Sequence, residues 1–290
     1  MKNSDQIKSL VREKYSKIAS QDQAFNMASC CGAGDSSVEV YNIMTDDYSD
    51  LKGYKSEGDL GLGCGLPTQF AHIQKGDTVI DLGSGAGNDC FIARHETGET
   101  GKVIGLDFTP AMIEKARINA EKLGFNNVEF REGDIEEMPV SDNIADVVVS
   151  NCVLNLVPDK PKVIKEIYRV LKPGGHFSIS DVVLTGNLPE ALQKDAEMYA
   201  GCVSGAIQKG DYLDAIKSAG FSNIKVQKEK PIIIPDDILG KYLDQQEVSE
   251  MKNGTLGIFS ITVYAEKPGA KKIKVLQETI SACAPGSGCC

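Results

Sequence analysis

The chain is 290 residues long, 41% hydrophobic and 25% charged, which is enough for a full core in one or two domains. Its net charge of −10 speaks against a broad nucleic-acid footprint or attachment to an acidic membrane. No apolar run approaches the ~20 residues of a membrane span, and no apolar segment backs Met1-Lys2-Asn3-Ser4-Asp5, so a cytoplasmic protein is expected.

Ser4 opens a helix whose stripe, Ile7, Leu10, Val11, Tyr15 and Ile18, has helical spacing and is expected to pack on the core. Cys30-Cys31-Gly32-Ala33-Gly34 is a loop by composition, Val38–Met44 is apolar, and Asp46-Asp47-Tyr48-Ser49-Asp50 reads as exposed. Gly61-Leu62-Gly63-Cys64-Gly65-Leu66-Pro67 then sets a thiol between glycines, with its sulfur uncrowded. Thr78–Leu82 reads as a buried parallel strand. Gly83, Gly85 and Gly87 follow it, and then a helix-compatible segment in which Cys90 reads as a small core residue.

Val103–Leu106 is a second strand, ending at Asp107. Thr109 caps and Pro110 starts a helix with Met112, Ile113, Ala116, Ala120 and Leu123 inward, and Gly124 stops it. Val128–Phe130 is a third strand, leading to Asp134-Ile135, and Ala145–Ser150 a fourth, leading to Asn151-Cys152. A helix with Val163, Ile164, Ile167, Val170 and Leu171 inward ends at Lys172-Pro173-Gly174-Gly175, before a fifth strand, His176–Val183. The run from Asn187 to Gly210 breaks the rhythm and carries Cys202. Asp211–Ala219 suits a short helix, and Asn223–Gln227 and Gly257–Ala265 two late strands, with Pro231–Lys252 between them as a lid or outer helical piece. The tail from Lys267 ends with Cys283, Cys289 and Cys290.

Alternating strands and helices predict a doubly wound α/β sheet, with ligands at the carboxyl ends of the strands. A strand, a glycine turn and a helix bring bare backbone N–H groups close to a ligand. Asp107, twenty residues after Gly87, is placed to accept hydrogen bonds from a ribose diol. The dinucleotide fingerprint is incomplete, because Asn88 stands where a further glycine or alanine is needed. Asp81 at the mouth of the strand would repel a pyrophosphate but suits a cation or an amino group. S-adenosylmethionine has a sulfonium and an α-amino group and no phosphate. Asp134 is a second acid near the nucleoside, placed to take a hydrogen bond from the adenine amine.

Nine cysteines, an odd number with no C-x-x-C, argue against a disulfide framework or a zinc ribbon, and the three histidines have no ligand-like spacing. In the strand order 3-2-1-4-5, Cys152 lies just past strand four and faces the reactive end of the cofactor. The stretch Asn151-Cys152-Val153-Leu154 lacks the Pro-Pro-aromatic clamp of enzymes that methylate planar amines, which disfavours an adenine or glutamine nitrogen as acceptor. Cys64, Cys152 and Cys202 around one cofactor mouth suggest a soft, thiophilic substrate. As(III) fits: three sulfur ligands leave it a lone pair that could attack a sulfonium methyl in line.

Four motifs carry a family resemblance: Gly61-Leu62-Gly63-Cys64-Gly65, Asp81-Leu82-Gly83-Ser84-Gly85-Ala86-Gly87, Ser150-Asn151-Cys152-Val153-Leu154-Asn155-Leu156 and Tyr199-Ala200-Gly201-Cys202-Val203-Ser204-Gly205. Through them, from Cys30 to about Lys267, the chain resembles the microbial arsenite S-adenosylmethionine methyltransferases. The glycine motif is generic to the superfamily, whereas the three cysteine motifs together are specific. The resemblance implies a mostly parallel, seven-stranded Rossmann-like methyltransferase sheet with inserted and terminal arsenic-binding segments. It also implies As(III) at Cys152, Cys202 and Cys64, with Cys30 or Cys31 as a further thiol cooperating with Cys64 in disulfide exchange. The cofactor set expected for S-adenosylmethionine is Asp81, Gly83, Ser84, Gly85, Gly87, Asp107, Phe108, Met112, Asp134, Ile135 and Asn151.

The expected organisation is an N-terminal segment carrying thiols over residues 1–66 and a cofactor-binding core over 67–185. An arsenic segment with the last strands covers 186–268, and a Cys-containing tail covers 269–290. The substrates implied are arsenite and methylarsenite as thiol complexes, with glutathione or thioredoxin regenerating the thiols of a monomer. Two other readings are a C- or O-methyltransferase of small molecules with incidental cysteines, and a thiol-rich As(III)-binding protein without turnover. The cofactor set argues against the second, since a buffer has no use for a cofactor cleft.

Overall fold

The computed structural model describes residues 4–20, 46–194, 203, 205–253 and 256–269. Cys30, Cys31, Cys202, Cys283, Cys289 and Cys290 lie outside the described residues. Helix α1 (Ser4–Ala19) precedes the sheet. Then β1 (Thr78–Leu82), α2 (Asn88–Thr97), β2 (Lys102–Asp107), α3 (Pro110–Lys122) and β3 (Val128–Glu132) follow in strict alternation. Next come β4 (Ala145–Asn151), α4 (Lys160–Val170), β5 (Leu171–Thr185), α5 (Glu190–Lys194) and α6 (Lys209–Ser218). β6 (Ser222–Pro231), α7 (Asp236–Leu239), α8 (Gln245–Asn253) and β7 (Gly257–Glu266) complete the series.

The strands form one seven-stranded sheet of order β3-β2-β1-β4-β5-β7-β6. The first five pair in parallel, and β7 runs antiparallel between β5 and β6. Alternation along the strands separates two cores, as a pleat with period two requires. Ile80, Leu82, Ile104 and Leu106 pack on one face with α4 residues Val163, Ile164, Ile167 and Val170. Val79, Val103, Val147 and Val149 pack on the other with Phe91 and Ala93 of α2 and Ile113 and Ala116 of α3. Ile80, Leu82, Ile104 and Leu106 are at most 1% exposed, and burial of each contributes about 1.5–3 kcal/mol. Helices on both faces make the sheet doubly wound, as expected. Its strand order reverses between β1 and β4, the place where such sheets bind ligands.

Three local expectations need correction. Thr109 precedes Pro110 at the start of α3, but its side chain makes no cap bond. Asp107 instead accepts the N–H of Thr109 itself at 2.8 Å, an Asx turn that leads the chain into the helix without capping its first N–H groups. β5 starts at Leu171, so Pro173-Gly174-Gly175 lies inside the strand rather than before it. An irregular register between Ala145 and Val147 of β4 absorbs that run, and the Gly174 N–H is satisfied by the Lys267 carbonyl at 2.9 Å. Tyr48, set in an acidic run expected to be exposed, is 3% exposed. Its hydroxyl stands 3.0 Å from both the Gly65 carbonyl and Asp89 Oδ2, partners more than fifteen residues away that no local pattern announces.

Candidate active site

A cleft opens over the carboxyl ends of β1, β2 and β4. Its base is the turn after β1. Gly83, Gly85 and Gly87 all adopt left-handed backbone, with φ of +67°, +52° and +105°. A Cβ on Gly83 would meet Val153 at 2.3 Å, whereas one on Gly85 would meet nothing within 4 Å, so the loop backbone itself forms the wall there. Gly85 N–H donates to Asp107 Oδ2 at 3.1 Å, which ties the loop to the end of β2.

Of the expected cofactor set, Asp81, Gly83, Ser84, Gly85 and Asp107 line the cleft, as do Phe108, Met112, Asp134, Ile135 and Asn151. Gly87 sits behind the wall, where its missing side chain makes room for the Phe91 ring, 2.6 Å from a built Cβ. Sequence reasoning missed Lys8, Val11 and Tyr15 of α1, and also Tyr48, Asp59, Leu60 and Asp89, which line the cleft as well. The stripe of α1 packs on the core as expected, with Val11 and Ile18 buried, and Val11 and Tyr15 also face the cleft. Its Lys8 ion-pairs with Asp134 at 2.6 Å and with Glu136. Asp89 had a signal, an acid in the first turn after the glycines.

The cleft is acidic. Asp59, Asp81, Asp89, Asp107 and Asp134 face it against Lys8 among the described residues. Burial pushes Asp81 well above the ordinary carboxylate range, and the Asp89 charge adds to this, while a hydrogen bond from the Cys90 thiol at 3.2 Å opposes it. Burial also raises Asp89 to about 6, against hydrogen bonds from Tyr48, Asn151 and Thr68. Asp107 is raised by burial too, opposed by the N–H groups of Thr109 and Gly85. Carboxyl groups whose charge is disfavoured by burial gain from a cation placed among them, so the lining favours a cationic ligand. Ser84 Oγ and Asn88 Oδ1, both lining the cleft, are buried with no partner in the protein, as a site awaiting a polar ligand requires. Open space at Gly85, unspent polar atoms and a ring of carboxylates fit S-adenosylmethionine.

The thiol end lies beyond β4. Cys152 lines the cleft, is 3% exposed, and adopts φ of +60°. A left-handed residue other than glycine costs about 1–2 kcal/mol, and the N–H of Cys152 is held by the Ser180 carbonyl at 2.8 Å. Cys64 shares an apolar cluster with Cys152, Val182, Leu184, Val203 and Ile258. It is 0% exposed, which corrects the expectation of an uncrowded sulfur. The flanking glycines serve close packing instead: a Cβ on Gly65 would lie 2.5 Å from Ser180 Oγ, and the Ser260 hydroxyl bonds the Cys64 carbonyl. On β5, beside Val182 of this cluster, Asp181 Oδ2 accepts from the Tyr212 hydroxyl at 3.2 Å. Burial raises Asp181 to about 7, against the charge of Lys160. Among the described residues no group of three His, Cys, Asp or Glu side chains is gathered as for a metal ion.

A family model described as a methyltransferase domain matches residues 73–220. The chain is 43% identical over 235 residues to the arsenite methyltransferase of Halobacterium salinarum, covering 77% of this chain and 59% of that protein. It is 33% identical over 240 residues to the arsenite methyltransferase of Aquipseudomonas alcaligenes, covering 80% and 67%. The crystal structure of CrArsM, an arsenic (III) S-adenosylmethionine methyltransferase from Chlamydomonas reinhardtii, matches with TM-score 0.60 at 32% identity, covering 80% of this chain and 74% of that one. The chain belongs to the arsenite methyltransferase family. It spans about three fifths of the length of the Halobacterium relative, so part of that protein has no counterpart in the matched region. The fold expected from the sequence is thereby shown. Among the described residues no helix is long and apolar enough to cross a membrane.

Proposed function

We propose that the chain transfers methyl groups from S-adenosylmethionine to trivalent arsenic held by its own cysteine sulfurs. The observation that carries this reading is the burial of Cys64 and Cys152 in one apolar cluster at the edge of an acidic cleft suited to a cationic nucleoside. Family membership supports it, through relatives named arsenite methyltransferases. S-adenosylmethionine, when bound, supplies an electrophilic methyl on a sulfonium. Asp107 and the glycine turn would hold its nucleoside, Asp81 its amino-acid end, and Asp134 its base. Cys64, Cys152 and Cys202 would bind arsenite as thiolates. Sulfur donation raises the nucleophilicity of the arsenic lone pair, and no separate base is needed on the substrate. Cys30 or Cys31 would exchange disulfides with Cys64, glutathione or thioredoxin would regenerate the thiols, and the enzyme would work as a cytoplasmic monomer.

The test is transfer of label from S-adenosylmethionine to arsenite in the presence of a thiol reductant, with wild type, Cys152→Ser and Cys202→Ser. Labelled arsenicals from wild type and none from either variant is the expected result. Cofactor binding without arsenic product in the folded wild type would sink the reading and direct the search to organic acceptors.

A further inference from the structure

Asn151, the last residue of β4, lines the cleft next to Cys152, yet its amide is spent elsewhere. Oδ1 accepts the Cys64 N–H at 3.0 Å. Nδ2 donates to the Gly65 carbonyl at 2.8 Å and to the Tyr48 hydroxyl, and lies 3.4 Å from Asp89 Oδ2. A donor, the Cys64 N–H, on one side and acceptors on the other fix which way the amide faces. Tyr48 stands 3.0 Å from both the Gly65 carbonyl and Asp89 Oδ2, so its single proton serves one of them at a time. Thr68 donates to Asp89 Oδ1 at 3.3 Å and completes the support. The Cys64 loop is therefore strapped to the end of β4 and to the first turn of α2 through one side chain.

The loop is also shaped to that side chain. A Cβ on Gly63 would fall 2.6 Å from Asn151 Nδ2, so only glycine lets the backbone pass over the amide. One residue further along β4, Cys152 is held through its own N–H to Ser180, the residue that pairs with Asn151 across the sheet. Adjacent residues thus fix both thiols, one through its side chain and the other through its backbone.

We propose that Asn151 is a positioning residue whose amide sets the placement of the Cys64 thiol relative to Cys152, rather than a grip on the cofactor. The consequence for substrate rests on the arsenic reading above; the hold on Cys64 does not. Alkylation of a fully buried thiol proceeds through local opening, so its rate reports how firmly the loop is held. The experiment uses the full chain, wild type and Asn151→Ala, and follows Cys64 alkylation by iodoacetamide with peptide mapping. It also measures affinity for arsenite presented as its glutathione complex, affinity for S-adenosylmethionine, and thermal melting. Losing the strap should speed Cys64 alkylation about tenfold and weaken arsenite about tenfold, with cofactor affinity within about twofold. Equal weakening of cofactor and arsenite, or an unchanged Cys64 rate, would overturn the proposal. Should Asn151→Ala fail to fold, Tyr48→Phe keeps the ring and removes one partner of the amide. It should speed Cys64 alkylation about threefold, and an unchanged rate there would equally overturn the proposal. A wild type that does not bind arsenite, with the alkylation difference intact, would sink the substrate reading and support the role of the amide.

Discussion

The two ends of the cleft are built differently. The cofactor end is a backbone structure made within one stretch: the turn from Gly83 to Gly87, its bond to Asp107 and the start of α3 lie inside about thirty residues of chain. The thiol end is assembled from remote pieces. Cys64 is fixed by Asn151 through a bond spanning 87 residues and by Ser260 across 196. A site made of backbone is sensitive to φ and to added atoms, whereas one made of side chains depends on the chemistry of each group. The two ends should therefore fail independently.

The largest separation is expected at Cys152. Replacing it with Ser should lower arsenite methylation more than about a hundredfold, because a hydroxyl is a poor ligand for a thiophilic centre. Isothermal titration should find S-adenosylmethionine affinity within about twofold of wild type; loss of both together would erase the distinction between the ends. Gly83→Ala probes the other end. With φ at +67° and Val153 2.3 Å from the new Cβ, it should cost about 1–2 kcal/mol for the dihedral and a further 1–3 kcal/mol, roughly, for overpacking. Denaturant melts should show that loss, and adding Val153→Ala should recover only the overpacking part. Asp107→Ala removes an acceptor and frees the glycine turn. It should weaken S-adenosylmethionine about tenfold to a hundredfold while leaving arsenite affinity unmoved, and equal loss would contradict the assigned role.

The smallest effect concerns Asp181, buried on β5. Its carboxyl is raised from an ordinary 3.8 to about 7, chiefly by burial. The folded state thus holds the proton more tightly than the unfolded chain does. This contribution to stability is complete below pH 3.8 and is lost as pH rises through about 7. Asp181→Asn has no proton to lose and can still accept from Tyr212. Its melting temperature should exceed that of wild type at pH 8 and lose that advantage at pH 4. An advantage independent of pH would refute the titration.

Much was legible in the chain itself. The alternation of strands and helices, the glycine turn, Asp81 and Asp107 all rest on local periodicity or fixed spacing, and the sheet has the architecture that pattern predicts. The reach of β5 through Pro173-Gly174-Gly175 was not legible, because an irregular pairing with β4 and a bond from Lys267 decide it. Neither was the burial of Tyr48 inside an acidic run. Asp46 beside it is drawn in by Lys228 and Lys230, nearly two hundred residues away. The face of α1 was legible as apolar, but not that it would cover a cleft.

By itself, then, the sequence determined the class of fold, the cofactor turn and the presence of thiols in three glycine-rich or strand-end settings. Those properties follow from backbone sterics and hydrophobic period, which act between near neighbours. Only the tertiary structure decided that Cys64 is buried beside Cys152, that the amide of Asn151 straps the loop carrying it, and that Lys8 closes on Asp134. Each of these depends on a polar or packing partner distant in sequence, and such a partner is chosen by the register of the sheet and the packing of loops upon it rather than by any local preference.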